Sequence, residues 1–556
     1  MEKIWLEQYP EGIPHEVDLN EFSSLKDIIE KSCAKFHANK AFTNFGKSIT
    51  YGELEEQSRH FAAFLQKVVG LKKGDRVALM MPNLLQYPIA CFGVLRAGGV
   101  VVNVNPLYTP RELEHQLKDS GAKTILILEN FAHVLQEVIA NADVSKVITT
   151  QIGDALPGLK GKLMSFAVKY IKKMVPTWSL PGSTTYKKAM TEGKWQEMDE
   201  VALSLEDTAF LQYTGGTTGV SKGAQLTHGN MVANLQQASA WISTKTKEGD
   251  EAIITALPLY HIFSLTANCL VFMKLGAENI LITNPRDFDG FVKTLANTRF
   301  TAITGVNTLF NALLHTPGFR DIDFSALRLT LGGGMAVQKA VAEDWQNTTG
   351  VALLEAYGLT ETSPAASMNP MNNLGFNGSI GLPISSTEFS IRNEAGEELP
   401  IGETGEICIK GPQVMKGYWN RPDATAETFF PEGWLRTGDI GHCDDKGYFY
   451  ISDRKKDMIL TSGFNVYPNE VEGVAVTHPN IVEAAAVGVP HPRSGEVVKL
   501  FVVSDNPALT EKEVIEFCRE NMTAYKVPKH VEFRDELPKS NVGKILRRHL
   551  RDEAQS

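Results

Sequence analysis

The sequence predicts a multidomain α/β protein that ends in a smaller α+β part. Up to about residue 385, short β-branched runs alternate with helical periodicity; short strands between Gly, Pro and Asp turns then follow to about residue 452. A compact segment, 453–556, has its own strands and helix. Alternation of strands and helices is typical of parallel sheets, whereas short strands with tight turns are typical of antiparallel sheets. With 556 residues the chain is also too long for one core.

These patterns predict a large N-terminal domain over residues 1–452 and a small mobile α+β domain over 453–556, with a hinge at Asp453. Within the large domain we expect two parallel-type α/β subdomains up to about residue 385. A distorted antiparallel β-barrel is expected over about 386–452. The strand candidates are, in order, "RVALMMP", "GVVVNVNP", "TILILE", "AIITALP", "NILIT", "TAITGV", "LRLTLGGG", "ALLEAYG", "TEFSIRN", "GEICIKG", "GYFYISD", "AAAVGVP" and "KLFVVS". Helices are expected over 87–97, 110–120 and 511–522.

Composition and charge exclude several classes of protein. The net charge of −10 argues against nucleic acid as a partner, because no overall positive field attracts a phosphate backbone. Six cysteines are scattered without a CxxC pair, which is typical of a reduced cytoplasmic chain without structural zinc. The acidic N-terminus does not resemble a signal peptide, and no apolar run is long enough to span a membrane. We therefore expect a cytoplasmic protein.

The stretch "YTGGTTGVSKG", residues 213–223, predicts a phosphate-binding loop. Glycines allow consecutive backbone N–H groups to converge on an anion, and the threonine hydroxyls and Lys222 add donors and positive charge. Gly223 and Ala224 follow the lysine where a P-loop has Ser or Thr, so the loop is not that of a kinase or GTPase. A helix is expected to start near Asn230, whose side chain could cap it.

This loop resembles that of the adenylate-forming enzymes, which include acyl-CoA synthetases, firefly-type luciferases and peptide-synthetase adenylation domains. The resemblance continues along nearly the whole chain and is strongest to the fatty-acyl branch. It rests on five further motifs in the family's order: "LPLYHIF" (257–263), "GGGM" (332–335) with "EAYGLTET" (355–362), "GWLRTGDIG" (433–441), "DRKKDMILTSGFNVYPNEVE" (453–472) and "PKSNVGKILRR" (538–548).

The resemblance implies a two-step reaction. A long-chain fatty acid attacks ATP to give acyl-AMP and pyrophosphate, and the thiol of coenzyme A then displaces AMP. Mg²⁺ is the implied cofactor, held by Thr214 and Glu361, and Lys544, His261, Thr214 and Glu361 are the implied catalytic residues. Ser462 and Gly463 are implied to face coenzyme A. The residues implied to bind ATP or AMP are Tyr213, Thr214, Gly215, Gly216, Thr217, Thr218, Gly219, Lys222, Gly223, Gly332, Gly333, Gly334, Glu355, Ala356, Tyr357, Gly358, Leu359, Thr360, Asp439, Arg454 and Lys544.

Several of these residues also suit the chemistry by type. Tyr357 offers a flat face to adenine, and the carboxylate of Asp439 can accept both ribose hydroxyls. Glu361 is a hard oxygen ligand for magnesium. Lys544 would relieve the repulsion between the attacking carboxylate and the α-phosphate. No nucleophilic Ser or Cys is required, in keeping with the lack of a recognisable triad.

A basic amphipathic segment, "LKGKLMSFAVKYIKKMVPTW", follows the first α/β region. Its apolar residues recur at helical spacing along one face: Leu163, Phe166, Ala167, Tyr170, Ile171 and Met174. Seven lysines and no acidic residue lie between Ala155 and Thr191, with the lysines spread over 160–188. Two interpretations stay open: a peripheral helix on an anionic membrane, or a helix docked on the core with a solvated basic face.

The competing functions share parts of this pattern. A medium-chain or aryl acyl-CoA ligase, an amino-acid adenylation domain or a luciferase-like oxygenase has the same adenylating half, and a decayed scaffold could be a non-catalytic membrane lipid-binding protein. The acyl chain could be lined by "IFSLTANCLVFM" or "GVNTLFNALL", although ordinary core is an equally simple interpretation of both. A homodimer is compatible with the resemblance, but no residue pattern indicates one.

Overall fold

The computed structural model describes residues 2–214, 221–461, 464–492, 494–540 and 543–555. Two large mixed sheets form most of the chain, which confirms the predicted α/β class. The first sheet has nine strands. Six adjacent strands, from Leu353–Gly358 to Lys40–Asn44 inclusive, are parallel. Its strand order is Leu382–Pro383, Ala365–Met368, Leu353–Gly358, Leu329–Gly332, Ala302–Gly305, Ala252–Thr255, Glu278–Leu281, Lys40–Asn44 and Lys47–Thr50.

The second sheet has eight strands, of which the last six in its order are parallel. The order is Gly417–Tyr418, Lys222–Thr227, Thr208–Thr214, Val100–Val104, Arg76–Met80, Thr124–Leu128, Lys146–Thr150 and Thr184–Thr185. One continuous apolar core contains side chains of both sheets, because helices that are buried on nearly every side lie between them. Every residue of Gln86–Arg96 is buried, and so are most residues of His228–Ile242.

Helices cover both sheets, as expected for parallel strands joined by crossovers. The α-helices are Leu25–Lys35, Tyr51–Phe64, Gln86–Arg96, Pro110–Ser120, Ala132–Val138, Gly158–Phe166, Tyr186–Lys194, His228–Ile242, Val271–Lys274, Phe288–Ala296, Asn307–Leu314, Lys339–Thr349, Pro422–Thr428, Pro468–Ala475, Glu511–Asn521 and Arg547–Gln555. Wider π-type turns form Leu65–Val69, Ala167–Ile171 and Ser264–Leu270. Tight 3₁₀ turns form Ile4–Gln8, Glu129–Phe131, Ile139–Asn141, Phe319–Asp321, Thr360–Thr362 and Pro431–Gly433. Across the described ranges, no helix combines the length and apolarity that crossing a bilayer requires.

The helix that follows the predicted phosphate loop starts earlier than expected, and Asn230 does not cap it. The strand Lys222–Thr227 leads directly into His228–Ile242. Thr227 has extended backbone angles, and its hydroxyl accepts the Asn230 N–H. The Asn230 side chain accepts the Thr227 N–H in return at 3.0 Å, so Asn230 is the third residue of the helix and completes a capping box with Thr227.

Two five-stranded sheets complete the fold. An antiparallel sheet is built, as predicted, from Glu388–Arg392, Gly405–Lys410, Trp434–Cys443, Phe429–Phe430 and Phe449–Arg454. A mixed sheet near the C-terminus contains Phe464–Val466, Ile459–Thr461, Gly495–Ser504, Ile481–His491 and His530–Phe533. Two apolar clusters consist only of residues from Ile459 onward, so this α+β region has its own core. The boundary and hinge at Asp453 stay predictions.

Candidate active site

The predicted site residues meet at one cavity of about 2470 Å³ between the two large sheets, the antiparallel sheet and the C-terminal region. The elements that reach it are far apart in sequence, and each ends at the cavity wall. The predicted residues that line it are Tyr213, Thr214, Lys222, His261, Gly333, Gly334, Glu355, Ala356, Tyr357, Gly358, Leu359, Thr360, Glu361, Asp439, Arg454 and Lys544.

The other predicted positions fall into three groups. Gly223 and Gly332 belong to strands beside the cavity and do not line it. Asp453 is fully buried at the end of Phe449–Arg454, where its carboxylate accepts the Asn469 N–H at 2.7 Å. Residues outside the described part of the chain are Gly215, Gly216, Thr217, Thr218, Gly219, Ser462 and Gly463.

The backbone at the cavity wall requires glycine at one position in each of the "EAYGLTE" and "GGGM" motifs. A Cβ atom at Gly358 would lie 1.8 Å from the carbonyl oxygen of Pro364, so any larger residue would displace the backbone of the turn. Gly334 has a φ of +76°, which L-amino acids with side chains rarely adopt. The first glycine therefore lets the chain after the strand Leu353–Gly358 fold tightly, and the second turns the chain after Leu329–Gly332 along the same wall.

Asp439 lies at the centre of a hydrogen-bonded group on one side of the cavity. Its side chain is 3% exposed, and its two oxygens take different partners: Oδ2 accepts the Tyr357 hydroxyl at 2.6 Å, and Oδ1 lies 2.5 Å from Arg454 Nε. Burial raises the pKa of the Tyr357 hydroxyl, and the negative charge of Asp439 acts in the same direction, so the phenol stays a donor. Three predicted nucleotide-binding residues thus form one unit.

Glu361 lies at the opposite end of the "EAYGLTE" segment, in the turn Thr360–Thr362. Its Oε1 accepts the hydroxyl of Tyr418 at 2.6 Å. The ammonium of Lys222 lies over the ring of the same tyrosine, 5.2 Å from its centroid. Tyr418 therefore joins the predicted metal ligand to the predicted phosphate-binding lysine, although neither its residue type nor its place in "GYWN" indicated a role in the site.

Lys544 reaches the cavity from the turn that precedes the last helix. The turn is anchored to the large part of the molecule because Thr308 Oγ1 donates to the Gly543 carbonyl at 3.1 Å. The Lys544 side chain remains accessible from the wide cavity. Desolvation by the surrounding protein lowers the pKa of Lys544 to about 8, and the positive charge of Arg454 acts in the same direction.

His261 lies across the cavity at the start of the segment that leads into the turn Ser264–Leu270. Burial, together with the neighbouring charge of Lys544, lowers the pKa of His261 to about 4. The imidazole is therefore neutral near pH 7. Its Nδ1 accepts the Phe263 N–H at 3.4 Å, and the preceding Tyr260 carbonyl accepts an amide hydrogen bond from Gln212 at 2.7 Å, which joins this loop to the strand Thr208–Thr214.

Two segments, "IFSLTANCLVFM" and "GVNTLFNALL", are candidates to line an acyl chain, and they differ in how much of each reaches the cavity. The mostly apolar part of the cavity wall is here called the apolar branch. This name covers the part of the cavity wall formed by Asn234, Ala238 and Ile242 on one helix and by Thr266, Ala267, Val271 and Phe272 on the segment in contact with it. Of "GVNTLFNALL", only Val306 lines the cavity; Phe310, Leu313 and Leu314 are buried in a separate core cluster. The first segment therefore faces the cavity, and most of the second is ordinary core.

The donors present fit a magnesium ion that is shared with phosphate oxygens. Glu361 contributes a carboxylate and Thr214 a hydroxyl, both hard oxygen donors on the cavity wall. The described residues contain no group of three or more His, Cys, Asp or Glu side chains arranged around a metal. A dedicated protein cage is thus absent from that part of the chain, and most of the coordination sphere would come from the substrate and water.

Comparison with known families agrees with this geometry. The model of the AMP-binding enzyme family matches residues 29–419, and that of the AMP-binding enzyme C-terminal domain matches residues 470–544. A solved anthranilate CoA ligase with bound anthranoyl-AMP superposes with a TM-score of 0.85 over 96% of this chain and 97% of its own, at 24% identity, which shows a shared fold. The chain therefore belongs to the AMP-binding enzymes.

Relatives of known function narrow this class. A long-chain-fatty-acid–CoA ligase of Escherichia coli O6:H1 is 58% identical over 100% of this chain and 99% of its own length. One of Bacillus subtilis strain 168 is 41% identical over 99% of this chain and 98% of its own. Within the AMP-binding enzymes, the chain thus belongs with the long-chain-fatty-acid–CoA ligases.

Proposed function

We propose that this enzyme activates long-chain fatty acids in two half-reactions at the single cavity, with the roles assigned below. In the first, a fatty-acid carboxylate oxygen attacks the α-phosphorus of ATP; the new bond gives acyl-AMP, and the bond to the pyrophosphate oxygen breaks. In the second, the coenzyme A thiol attacks the acyl carbon, forming the thioester and releasing AMP and a proton. The observation that carries the proposal is the meeting of Glu361, Asp439 and Lys544 beside an apolar branch.

The side chains divide the task of holding ATP. Asp439, with Tyr357 and Arg454 attached, suits the ribose hydroxyls, and Lys222 suits the β- and γ-phosphates. Thr214 and Glu361 would hold magnesium against the same phosphates. When bound, magnesium supplies positive charge that stabilises the pyrophosphate leaving group.

Lys544 and neutral His261 face the reacting carboxylate in this scheme. Attack brings the fatty-acid carboxylate and the α-phosphate, both anions, together. A protonated lysine directed at both therefore lowers the barrier by stabilising the negative charge of the transition state. His261 has no net charge near pH 7 and can position the carboxylate through a hydrogen bond. Lys544 would leave when the C-terminal region rotates at Asp453, and coenzyme A would then enter along the segment that contains Ser462 and Gly463.

The substrate assignment is tested by pyrophosphate release across fatty acids of increasing length, with and without coenzyme A. We expect long chains to give the highest kcat/KM and coenzyme A to be consumed in equal amount with ATP. In an Ala267→Phe variant the bulky ring would fill the apolar branch and shift the optimum to shorter chains by several carbons. An unchanged length profile in that variant, or amino acids or aryl acids as better substrates, would contradict the assignment.

We further propose that the segment Gly158–Ile171 rests on the surface of an anionic membrane. Its helix packs on the protein through small residues: Gly161 and Ser165 are buried, and a Cβ atom at Gly161 would lie 2.3 Å from the Gly153 carbonyl oxygen. The large apolar side chains point outward instead. Their exposed fractions are 70% for Leu159, 58% for Leu163, 55% for Phe166, 61% for Tyr170, 71% for Ile171 and 57% for Met174. Such a patch favours a lipid contact over a docked helix.

The positive charge around this patch is partly neutralised by acidic residues of other parts of the chain. Acidic residues from outside the segment pair with several lysines: Glu129 lies 3.4 Å from Lys169, and Asp154 lies 3.1 Å from Lys187. Lys162, Lys172 and Lys173 are exposed beside the apolar patch. These three lysines are therefore the strongest candidates for contact with anionic headgroups.

Reversing the charge of Lys162, Lys172 and Lys173 to Glu should lower the partition coefficient onto phosphatidylglycerol vesicles by at least about a hundredfold, because loss of each positive charge alone costs about 1 kcal/mol. Co-sedimentation measures the bound fraction. The matched control reverses three exposed lysines elsewhere, Lys245, Lys446 and Lys512, and should bind as the wild type does. Equal loss of binding in both variants would indicate a general charge effect. Unchanged binding in the variant at Lys162, Lys172 and Lys173 would contradict the proposed membrane contact.

A further inference from the structure

We propose that residues 415–421, here called the bridging segment, set the spacing between Lys222 and Glu361, and that Tyr418 is the positioning residue for the metal-bound triphosphate. This inference rests on the proposed metal role of Glu361 and assigns a function to residues that none of the motifs contained. The segment connects the two large sheets at the point where the strand Lys222–Thr227 of one contacts the turn Thr360–Thr362 of the other.

The backbone of the bridging segment is attached to both sides. Gly417–Tyr418 pairs antiparallel with the phosphate-loop strand Lys222–Thr227, and the Trp419 N–H donates to the Gly223 carbonyl at 2.8 Å. On the other side, the Met415 N–H donates to the Glu361 carbonyl at 2.7 Å. The segment thus fixes the backbone of Glu361 relative to the backbone that follows the phosphate loop.

Inside the cavity, the side chain of Tyr418 also links the two sides, because it contacts both Glu361 and Lys222. Its hydroxyl donates to Glu361 Oε1 at 2.6 Å, while its ring carries the Lys222 ammonium at 5.2 Å from the centroid. No ion pair joins Lys222 to Glu361 in the described structure. A lysine and a glutamate that contact the same tyrosine could otherwise pair with each other before ATP arrives; the tyrosine keeps both engaged with a neutral group instead.

A second contact holds the far end of the bridging segment. Arg421 lies 2.7 Å from Asp119 Oδ1, and the other oxygen of that carboxylate accepts the Tyr213 hydroxyl at 2.8 Å. Tyr213 directly precedes Thr214 in the strand that enters the phosphate loop. The bridging segment is therefore linked to both strands of this hairpin, directly to Lys222–Thr227 and through Asp119 to Thr208–Thr214, and Tyr418 lies between these two links.

One consequence follows for the metal-bound nucleotide. With Oε1 engaged by Tyr418, the Glu361 carboxylate cannot rotate freely, and Oε2 remains for a cation. Removing only the hydroxyl should therefore weaken the contribution of magnesium to ATP binding. Removing the ring as well should also release Lys222, which would weaken the binding of metal-free ATP.

The test measures the dissociation constant of ATP by calorimetry without fatty acid, so that no turnover occurs, in saturating Mg²⁺ and in EDTA. The ratio of the two constants gives the magnesium contribution. In Tyr418→Phe we expect this ratio to fall about tenfold, the value of one charge-assisted hydrogen bond, with little change in EDTA. Tyr418→Leu should in addition weaken ATP binding in EDTA. Tyr450→Phe is the matched control, because its hydroxyl donates to the Asp444 carboxylate at 3.2 Å outside the cavity.

Glu361→Gln separates the two levels of the proposal. If it loses the magnesium contribution while Tyr418→Phe keeps it, the metal role of Glu361 stands and the role of Tyr418 is overturned. If Glu361→Gln keeps the contribution, the metal role fails and the inference fails with it. An equal loss in Mg²⁺ and EDTA for Tyr418→Phe, or a loss as large in Tyr450→Phe, would show a general structural effect and would also overturn the inference.

Discussion

Replacing Lys544 with alanine should lower the rate of acyl-adenylate formation by about a hundred- to a thousandfold, the loss typical of one group aimed at developing negative charge. The side chain lies in the cavity with Arg454 and Asp439, and Thr308 anchors its turn at Gly543. In the proposed scheme this lysine serves only the first half-reaction. Thioester formation from supplied acyl-AMP should therefore stay within a few-fold of the wild type.

Single-turnover assays of the two half-reactions measure both effects. The control is Lys512→Ala, which removes an exposed lysine from the helix Glu511–Asn521 and should leave both rates unchanged. Equal losses in the two half-reactions of Lys544→Ala would indicate damage to the shared cavity and contradict the assigned role. Full adenylation activity would contradict it directly.

The same lysine predicts a pH dependence. The pKa of Lys544 is lowered to about 8 by the surrounding protein and by Arg454, and the charged form is the one that exists below the pKa. Adenylation should therefore be supported up to about pH 8 and decline above it in the kcat/KM profile for ATP, which reports groups of the free enzyme. Lys544→Arg, although slower, should keep its rate to higher pH; an unchanged alkaline limb in that variant would assign the limb to another group.

Replacing Asp439 with alanine should weaken ATP binding by about ten- to a hundredfold and also lower the melting temperature. The carboxylate is almost fully buried, and its removal leaves the Tyr357 hydroxyl and the Arg454 guanidinium without their acceptor. Loss of one partner of a buried pair costs about 3–5 kcal/mol. The value here should lie at or below the lower end, because the Arg454 side chain is 32% exposed.

Calorimetry of ATP binding and thermal unfolding measure the two consequences. Glu394→Ala is the control, since Glu394 forms an exposed ion pair with Lys455 at 3.0 Å and should change neither quantity appreciably. Asp439→Asn keeps the shape and one acceptor, so it should recover part of the stability but little of the ATP affinity. Wild-type affinity in both variants would exclude a ribose contact.

The sequence by itself determined the fold class and the positions of most strands along the chain, because both depend on local patterns. It determined the reaction through the resemblance of its motifs to those of a known family. Short β-branched runs such as "TILILE" indicate strands without reference to any distant partner. The motif residues Tyr357, Asp439 and Lys544 could be singled out because they lie in motifs that resemble those of the adenylate-forming enzymes, and their residue types also suit the chemistry. Their placement on one cavity agrees with that choice, while their roles stay predictions.

Only the tertiary structure decided the features that depend on distant partners. The Tyr418 hydroxyl meets a carboxylate 57 positions away, and no local pattern distinguishes this tyrosine from a core residue. The cap at Thr227 depended on where the preceding strand ends. Similarly, helical spacing placed the apolar side chains of 163–174 on one face, but whether that face meets protein or solvent depends on what packs beside it. Gly161 and Ser165 take the protein side because their small size allows close backbone approach, and the large side chains are left exposed.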